Sequence, residues 1–238
     1  MASPAPEDDR ALAFEVLTAP RDRVDALKLV MDSVAQQRQV ASRDVVFNPL
    51  CVSALVGVLA AAHVAMGAMG QDLSAMIITH SGIVLIYLMT IRYAASSYIR
   101  VAEETDWQSW LDGQDGIETL ILGARYGTEL IATVFLTVPK RNTRSKAKDS
   151  GKATIRAWTT MLRYRRRGLG GDMLREAVKV AKQSQGPKCT VEFAADHANS
   201  SVALYDIFNG PFITRQAKAT SALASAVKQW EAGESSQR

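Results

Sequence analysis

The stretch Leu162-Arg163-Tyr164-Arg165-Arg166-Arg167-Gly168-Leu169-Gly170-Gly171-Asp172-Met173-Leu174 gathers residue types that hold an anion. Three glycines let a backbone turn tightly and come close to a ligand. They stand where a β-rich segment, Ala153 to Leu162, gives way to helical spacing. The first amides of a helix have no partner inside it and, with the helix dipole, favour a negative group. Arg163, Arg165, Arg166 and Arg167 add positive charge at the same point. This combination predicts a phosphate ester or pyrophosphate at the junction. Two phosphate loops are excluded: no Gly-Lys-Ser/Thr closes the stretch, and it lacks the Gly-x-Gly-x-x-Gly of dinucleotide folds. A nucleic-acid patch would leave the glycines and the following helix unexplained. A solvated basic face is the plainer alternative.

Composition narrows the remaining chemistry. The 238 residues carry 28 Lys and Arg against 24 Asp and Glu, a net charge of +4, too weak to argue for nucleic acid. Two cysteines, Cys51 and Cys189, build neither a disulfide framework nor a four-cysteine zinc site. Three histidines, His63, His80 and His197, make a histidine-rich centre a poor fit, so no metal is expected. Cys51 falls in an apolar run and Cys189 in a predicted strand, so neither reads as a nucleophile. Glu192, Asp196 and His197 are the candidates for a general base, and a water chain is the alternative.

The elements that must position these groups follow from periodicity. Met1 to Pro49 is polar, and its opening is acidic and Pro-rich, which predicts neither a secretory signal nor a transit peptide. Ala11 to Leu17 reads as a strand. Asp22 to Gln39 carries Val24, Leu27, Val30, Met31 and Val34 as one helical stripe. Tyr98 to Leu111 reads as an amphipathic helix, with Trp107 and Trp110 in the core or at a membrane interface. Glu118 to Ala124 and Glu129 to Val138 read as a hairpin turning through Arg125-Tyr126-Gly127-Thr128. Lys140 to Lys152 reads as a basic loop, Ala153 to Leu162 as a third strand and Gly170 to Gln183 as a helix. Lys188 to Phe193 then reads as a strand, Ser200 to Phe208 as a short helix and Ala217 to Trp230 as helical.

Leu50 to Ile91 differs in kind. Asp72 is its only formal charge, and the turn Gly70-Gln71-Asp72 separates two apolar runs, Leu50 to Met69 and Leu73 to Ile91. Helices of about 20 residues span roughly 30 Å, the depth of a bilayer core. The pattern predicts a two-pass hairpin in a lipid bilayer. Arg38, Arg43, Arg92 and Arg100 lie on the flanks and no cation lies in the turn, which puts both termini in the cytosol. Ser53, Gly57, Ala61 and Ala65 form a ridge of small residues; packing against the second run is the favoured use and a homodimer seam the other. His63 and His80 are about equally far from the turn, so in an antiparallel hairpin each should satisfy the other or a backbone carbonyl.

Two motifs carry a resemblance. Arg165-x-x-Gly168-x-Gly170, between a strand and a helix, is similar to the acyl-CoA motif Arg/Gln-x-x-Gly-x-Gly/Ala of the GNAT acetyltransferases. Asn199-Ser-Ser-Val-Ala203-Leu204-Tyr205-Asp-Ile-Phe208 resembles their Asn-x-x-Ala-x-x-Leu-Tyr-x-x-x-Gly-Phe signature. The order of elements between the motifs also matches. The inserted apolar hairpin resembles the membrane-bound members of the cysteine-conjugate N-acetyltransferase type.

The resemblance implies an α/β (α+β) fold, with a mixed central sheet flanked by helices and an inserted transmembrane hairpin. Residues 1–49 would supply the first strand and helix, 50–92 the hairpin and 93–238 the main acyl-CoA-binding domain. It implies acetyl-CoA as cosubstrate, with the amides of Arg166, Arg167, Gly168, Leu169, Gly170 and Gly171 on the pyrophosphate beside Arg165. Met161 and Leu162 would bond the pantetheine arm through their main chain, with Asn199 near it. Tyr205 would protonate the leaving thiolate, and no enzyme-bound acyl group is needed. The acceptor would be a small amphipathic or membrane-associated amine, and the expected place is the endoplasmic reticulum membrane. A non-catalytic membrane scaffold with the same fold, or O-acetylation of a lipophilic alcohol, are the alternatives. Asn209-Gly210-Pro211-Phe212 departs from the family's Gly-Phe, which points to a rearrangement of the last strands.

Overall fold

The computed structural model describes residues 11–112, 116–140, 151–200 and 206–236. The chain divides into two compact units, one of Met1–Val34, Glu104–Ser201 and Arg215–Arg238, the other of Ala35–Glu103 and Val202–Thr214.

The first unit is built on a five-stranded sheet in the order β1-β2-β3-β4-β5. Its strands are β1 (Leu12–Val16), β2 (Ile117–Tyr126), β3 (Glu129–Pro139), β4 (Lys152–Thr160) and β5 (Thr190–Phe193). The first four pair antiparallel in sequence, and β5 joins β4 in parallel. A parallel neighbour needs a crossover, which α6 (Leu169–Gln185) supplies. The β2–β3 loop is shorter than the four residues the sequence predicts. Strand pairing continues to Tyr126 opposite Glu129, leaving Gly127 and Thr128 as the loop, with Gly127 at φ 62. That is the position where a two-residue hairpin loop needs a positive φ.

Alternation along β2 and β3 sets the core. Leu122, Val134, Leu136 and Val138 are buried in one cluster with Leu169, Met173, Leu174, Ala177, Val178 and Ala181 of α6. Leu223 and Ala226 of α7 (Gly210–Ser236) join the same cluster. On the other face, Phe135 meets Trp110 of α5 (Trp107–Asp112), ring centroids 5.9 Å apart. Buried Thr133 and Thr137 interrupt the apolar surface without penalty. Each hydroxyl donates to a strand carbonyl, Leu122 O at 2.9 Å and Thr154 O at 3.0 Å.

Three predicted helices come out differently. The segment predicted as one helix from Tyr98 is two, α4 (Ser97–Glu104) and α5. Asp106 divides them by accepting from Ser109 N at 3.2 Å, as a capping carboxylate does. The tail forms a far longer helix than predicted, Gly210–Ser236. No strand follows β5 among the described residues, where the family resemblance implies further strands. α1 (Pro20–Val46) also extends beyond its apolar stripe.

The second unit contains α2 (Pro49–Ala68) and α3 (Leu73–Ala94), both long and apolar enough to cross a membrane. Pro49 follows the cap residue Asn48, whose side chain accepts from Leu50 N at 3.0 Å. Asp72 caps α3 through Ala75 N at 2.9 Å. The half-buried residues of α2 are Cys51, Leu55, Leu59, Ala62 and Met66, a stripe at three- and four-residue spacing along its contact with α3. Ser53, Gly57, Ala61 and Ala65 are all exposed. The favoured use of the small-residue ridge is therefore corrected: bulkier Leu and Met fill the α2–α3 groove and turn the ridge outward. His63 and His80 do meet, rings edge to face with centroids 5.7 Å apart, and His80 Nδ1 lies 2.6 Å from Met76 O.

Candidate active site

The distinctive feature of the sheet is where β5 leaves β4. Pairing runs only from Lys152–Thr190 to Ile155–Phe193. Two further contacts hold the departing chain, Ala194 N to Ile155 O at 2.9 Å and Ala198 N to Arg156 O at 2.8 Å. β3 pairs Leu136 with Ile155 and Phe135 with Ala157, so Arg156 is an extra residue, a β-bulge at the point of divergence. Beyond it, β4 runs on to Thr160 with no strand on that side among the described residues. Met161 N donates to Ile131 O at 2.8 Å, so alternation turns the main chain of Thr160 to the open edge. There Thr160 O accepts from Arg165 Nε at 2.8 Å.

The open edge leads to the glycine-rich junction. Leu162–Tyr164 forms a single 3-10 turn, after which Arg166 and Gly168 take positive φ, 62 and 86. Gly168 caps α6 in the left-handed conformation, which favours glycine. Gly171 N and Asp172 N bond back to Gly168 O at 2.8 and 3.2 Å. The amides of Arg166, Arg167, Gly168, Leu169 and Gly170 donate to no backbone group among the described residues. Gly170 is fixed by packing as well. A Cβ there would stand 2.9 Å from Trp158 Cζ2, and Trp158 Nε1 donates to Gly170 O at 3.1 Å. A strand side chain thereby locks the head of the helix to the strand edge.

The arginines divide by role. Arg163 is paired with Glu129 and stacks on Tyr164 at 5.0 Å, while Arg167 lies 5.9 Å from the same ring. Arg165 is turned to the open edge. Desolvation, and behind it the field of Arg215 on α7, lower its pKa, but a guanidinium remains a cation at neutral pH. A run of amides without backbone partners, beside several guanidinium groups, is an anion cradle.

The other predicted residues are placed as follows. Met161 and Leu162 carry the turn: Met161 O accepts from Tyr164 N at 2.9 Å and Leu162 O from Arg165 N at 3.3 Å. Asn199 is tied to Ser33 of α1, its Nδ2 donating to Ser33 Oγ at 3.1 Å. Tyr205 lies outside the described residues, as does most of the basic loop after Lys140. Cys189 is buried, and burial pushes its thiol pKa up, away from a thiolate. Glu192 is paired with Lys152, and Asp196 lies 3.7 Å from Arg156. His197 is half-buried, with Nε2 2.9 Å from Gln216 Oε1, and burial lowers its pKa.

Three contributors were not singled out by the sequence: Trp158, Arg215 and Gln216. Trp158 stood out only as a strand aromatic, and the other two lie on a helix whose partners are remote in sequence.

No curated protein sequence matches the chain. The crystal structure of a transcriptional regulator from Bacillus halodurans C-125 aligns with 50% of this chain and 66% of its own, at 18% identity and a TM-score of 0.29. The chain thus spans a little under two thirds of that protein's length, and a likeness of this degree carries no argument. Residues 87–209 match the family model described as the acetyltransferase (GNAT) family.

Proposed function

The chain belongs to the GNAT acetyltransferase family, and on that premise we propose that it moves an acetyl group from acetyl-CoA to the nitrogen of a small amphipathic amine at a membrane. The observation that carries this reading is the set of five consecutive amides before and at the head of α6 that have no backbone partner among the described residues, beside the end of β4 that has no neighbouring strand among them. The pyrophosphate of an acyl-CoA suits the amides, and an extended pantetheine arm suits a strand edge with unused main-chain groups. The acceptor attacks the thioester carbonyl directly. Cys189 is too deeply buried to serve as an acyl carrier. The protein's contribution is then to align the two substrates and to stabilise the developing charge. Tyr205, placed by its signature in the sequence, is assigned the proton for the departing thiolate.

The membrane part rests on α2 and α3. None of the residues of α2 is buried and only Ile91 of α3 is, so outside their mutual contact two long apolar surfaces are exposed among the described residues. A bilayer covers such surfaces, and the arginine distribution then places both flanks on the cytosolic side. An enzyme tethered in this way meets acceptors that partition into lipid.

The test uses the full chain in detergent with acetyl-CoA and a panel of amines, reading thiol release. The wild type turns over. Gly168→Trp, which forces a large side chain into a left-handed position, abolishes both acetyl-CoA binding and turnover. Tyr205→Phe keeps binding and lowers turnover on the order of 10²-fold. Unchanged turnover in both variants overturns the site. In membranes the protein resists carbonate extraction; its release at high pH overturns the two-pass reading.

A further inference from the structure

We propose that His197 takes the proton from the acceptor nitrogen, and that Gln216 of α7 holds the imidazole in position for that step. The proposal rests on the acyl-transfer reading above and adds the base that the sequence left open.

The position of His197 is set by the opening of the sheet. Residues 194–198 are pinned to β4 by the bonds to Ile155 O and Arg156 O, and the turn is closed by His197 N to Ala194 O at 3.3 Å and Ser200 N to His197 O at 2.7 Å. From there a row of rings runs back toward the head of α6. His197 lies 6.1 Å from Phe193, Phe193 lies 5.9 Å from Trp158, and Trp158 bonds to Gly170 O. One end of the row is the anion cradle and the other is the imidazole. An acyl-CoA with its pyrophosphate on the cradle and its arm along β4 carries its thioester toward His197.

The tautomer follows from the partner. Gln216 Oε1 only accepts, so Nε2–H donates to it across 2.9 Å and Nδ1 is the basic nitrogen. Nδ1 has no partner among the described residues. Around the ring, Gln216 is neutral, Arg156 on β4 faces Asp196, and Asp196 is the carboxylate whose field reaches the imidazole. Burial outweighs that carboxylate and the Gln216 bond, so the ring is a neutral base at neutral pH. Glu192 and Asp196, the other candidates, are exposed and each face a cation, Lys152 and Arg156.

The proton balance closes. An alkylammonium acceptor gives one proton to Nδ1, its free amine forms the N–C bond, and the C–S bond breaks. The second amine proton ends on the coenzyme thiol, and the imidazolium returns the first to water. The sum is an amide, free CoA and one proton released.

The experiment measures acetyl-CoA affinity by calorimetry and thiol release across pH for two acceptors, an alkylamine charged at neutral pH and an aniline already neutral there. His197→Ala keeps the affinity and lowers alkylamine turnover on the order of 10²-fold, with aniline turnover changed only a few-fold and added imidazole restoring part of the loss. Gln216→Leu keeps the affinity, lowers turnover less and moves the acid limb of the pH profile to lower pH, because the bond it removes favours the protonated ring; Gln216→Glu moves it the other way. His197→Asn, with a thermal melt, separates misfolding from lost chemistry. Equal loss on both acceptors, an unmoved acid limb in both Gln216 variants, or full turnover in His197→Ala overturns the proposal. A wild type that binds acetyl-CoA and releases no thiol overturns the acyl-transfer reading and takes this proposal with it.

Discussion

At one end of the open β4 edge, the amides of Arg166 to Gly170 are aimed by contiguous chain. A 3-10 turn, two residues at positive φ and the start of α6 do the work within ten residues. At the other end, His197 is held by segments that are far apart in sequence: β4, the exit of β5 and the first turns of α7. The cradle is stereochemical. It exists because Gly168 tolerates a left-handed backbone and Gly170 has no side chain to strike Trp158. The imidazole end is topological, since it exists only when the whole sheet and α7 have assembled. The cradle is therefore hard to tune and easy to destroy, whereas the imidazole end can be altered one hydrogen bond at a time.

The largest effect expected from breaking this contrast is at Gly170. In Gly170→Val the new Cβ meets Trp158 Cζ2 at 2.9 Å, and that ring is braced by Phe193. It cannot withdraw as a flexible tail does, so the head of α6 must shift. Stability falls by about 1–3 kcal/mol, as overpacking does, and acetyl-CoA affinity falls at least roughly tenfold because five amides lose their aim. Adding Trp158→Phe removes the ring atom in the way and restores much of both. Calorimetric titration and thermal melts of the two variants measure the coupling. Wild-type affinity in Gly170→Val would show that the amides of the cradle do not read the ligand.

The same contrast explains what was legible in the sequence. Arg165, Gly168 and Gly170 declare the cradle because the feature is local, and the strands up to β4, though not their order in the sheet, follow from runs of apolar and β-branched residues. The apolar runs gave α2 and α3 nearly to the residue, since a span without charge needs no tertiary context. Three things were hidden. Asp106 splits a helix by capping, a signal overridden by the continuous apolar stripe around it. The ridge from Ser53 to Ala65 turned outward because small residues also suit a face that is exposed among the described residues. Asn199 sits in a recognisable signature, yet its tie to Ser33 joins residues 166 positions apart, and no local pattern reports that.

The smallest expected effect sharpens the imidazole end without any substrate. Burial is the chief cause that lowers the His197 pKa, with Gln216 and Asp196 opposing it. Below the ordinary imidazole value, about 6.5, the unfolded chain takes up a proton that the folded chain refuses. Stability from this group is thus complete above that value, and it falls as the pH drops from there through the folded-state pKa. His197→Asn removes this component while leaving every carboxylate in place. The stability lost between about pH 8 and about pH 5 should therefore be smaller in the variant than in the wild type. Denaturant melts at both pH values read that difference directly. Gln216→Leu should widen it, since one of the two influences that raise the pKa is gone. Parallel pH dependence in all three proteins would mean that the imidazole titrates alike folded and unfolded, and that α7 does not hold it out of solvent.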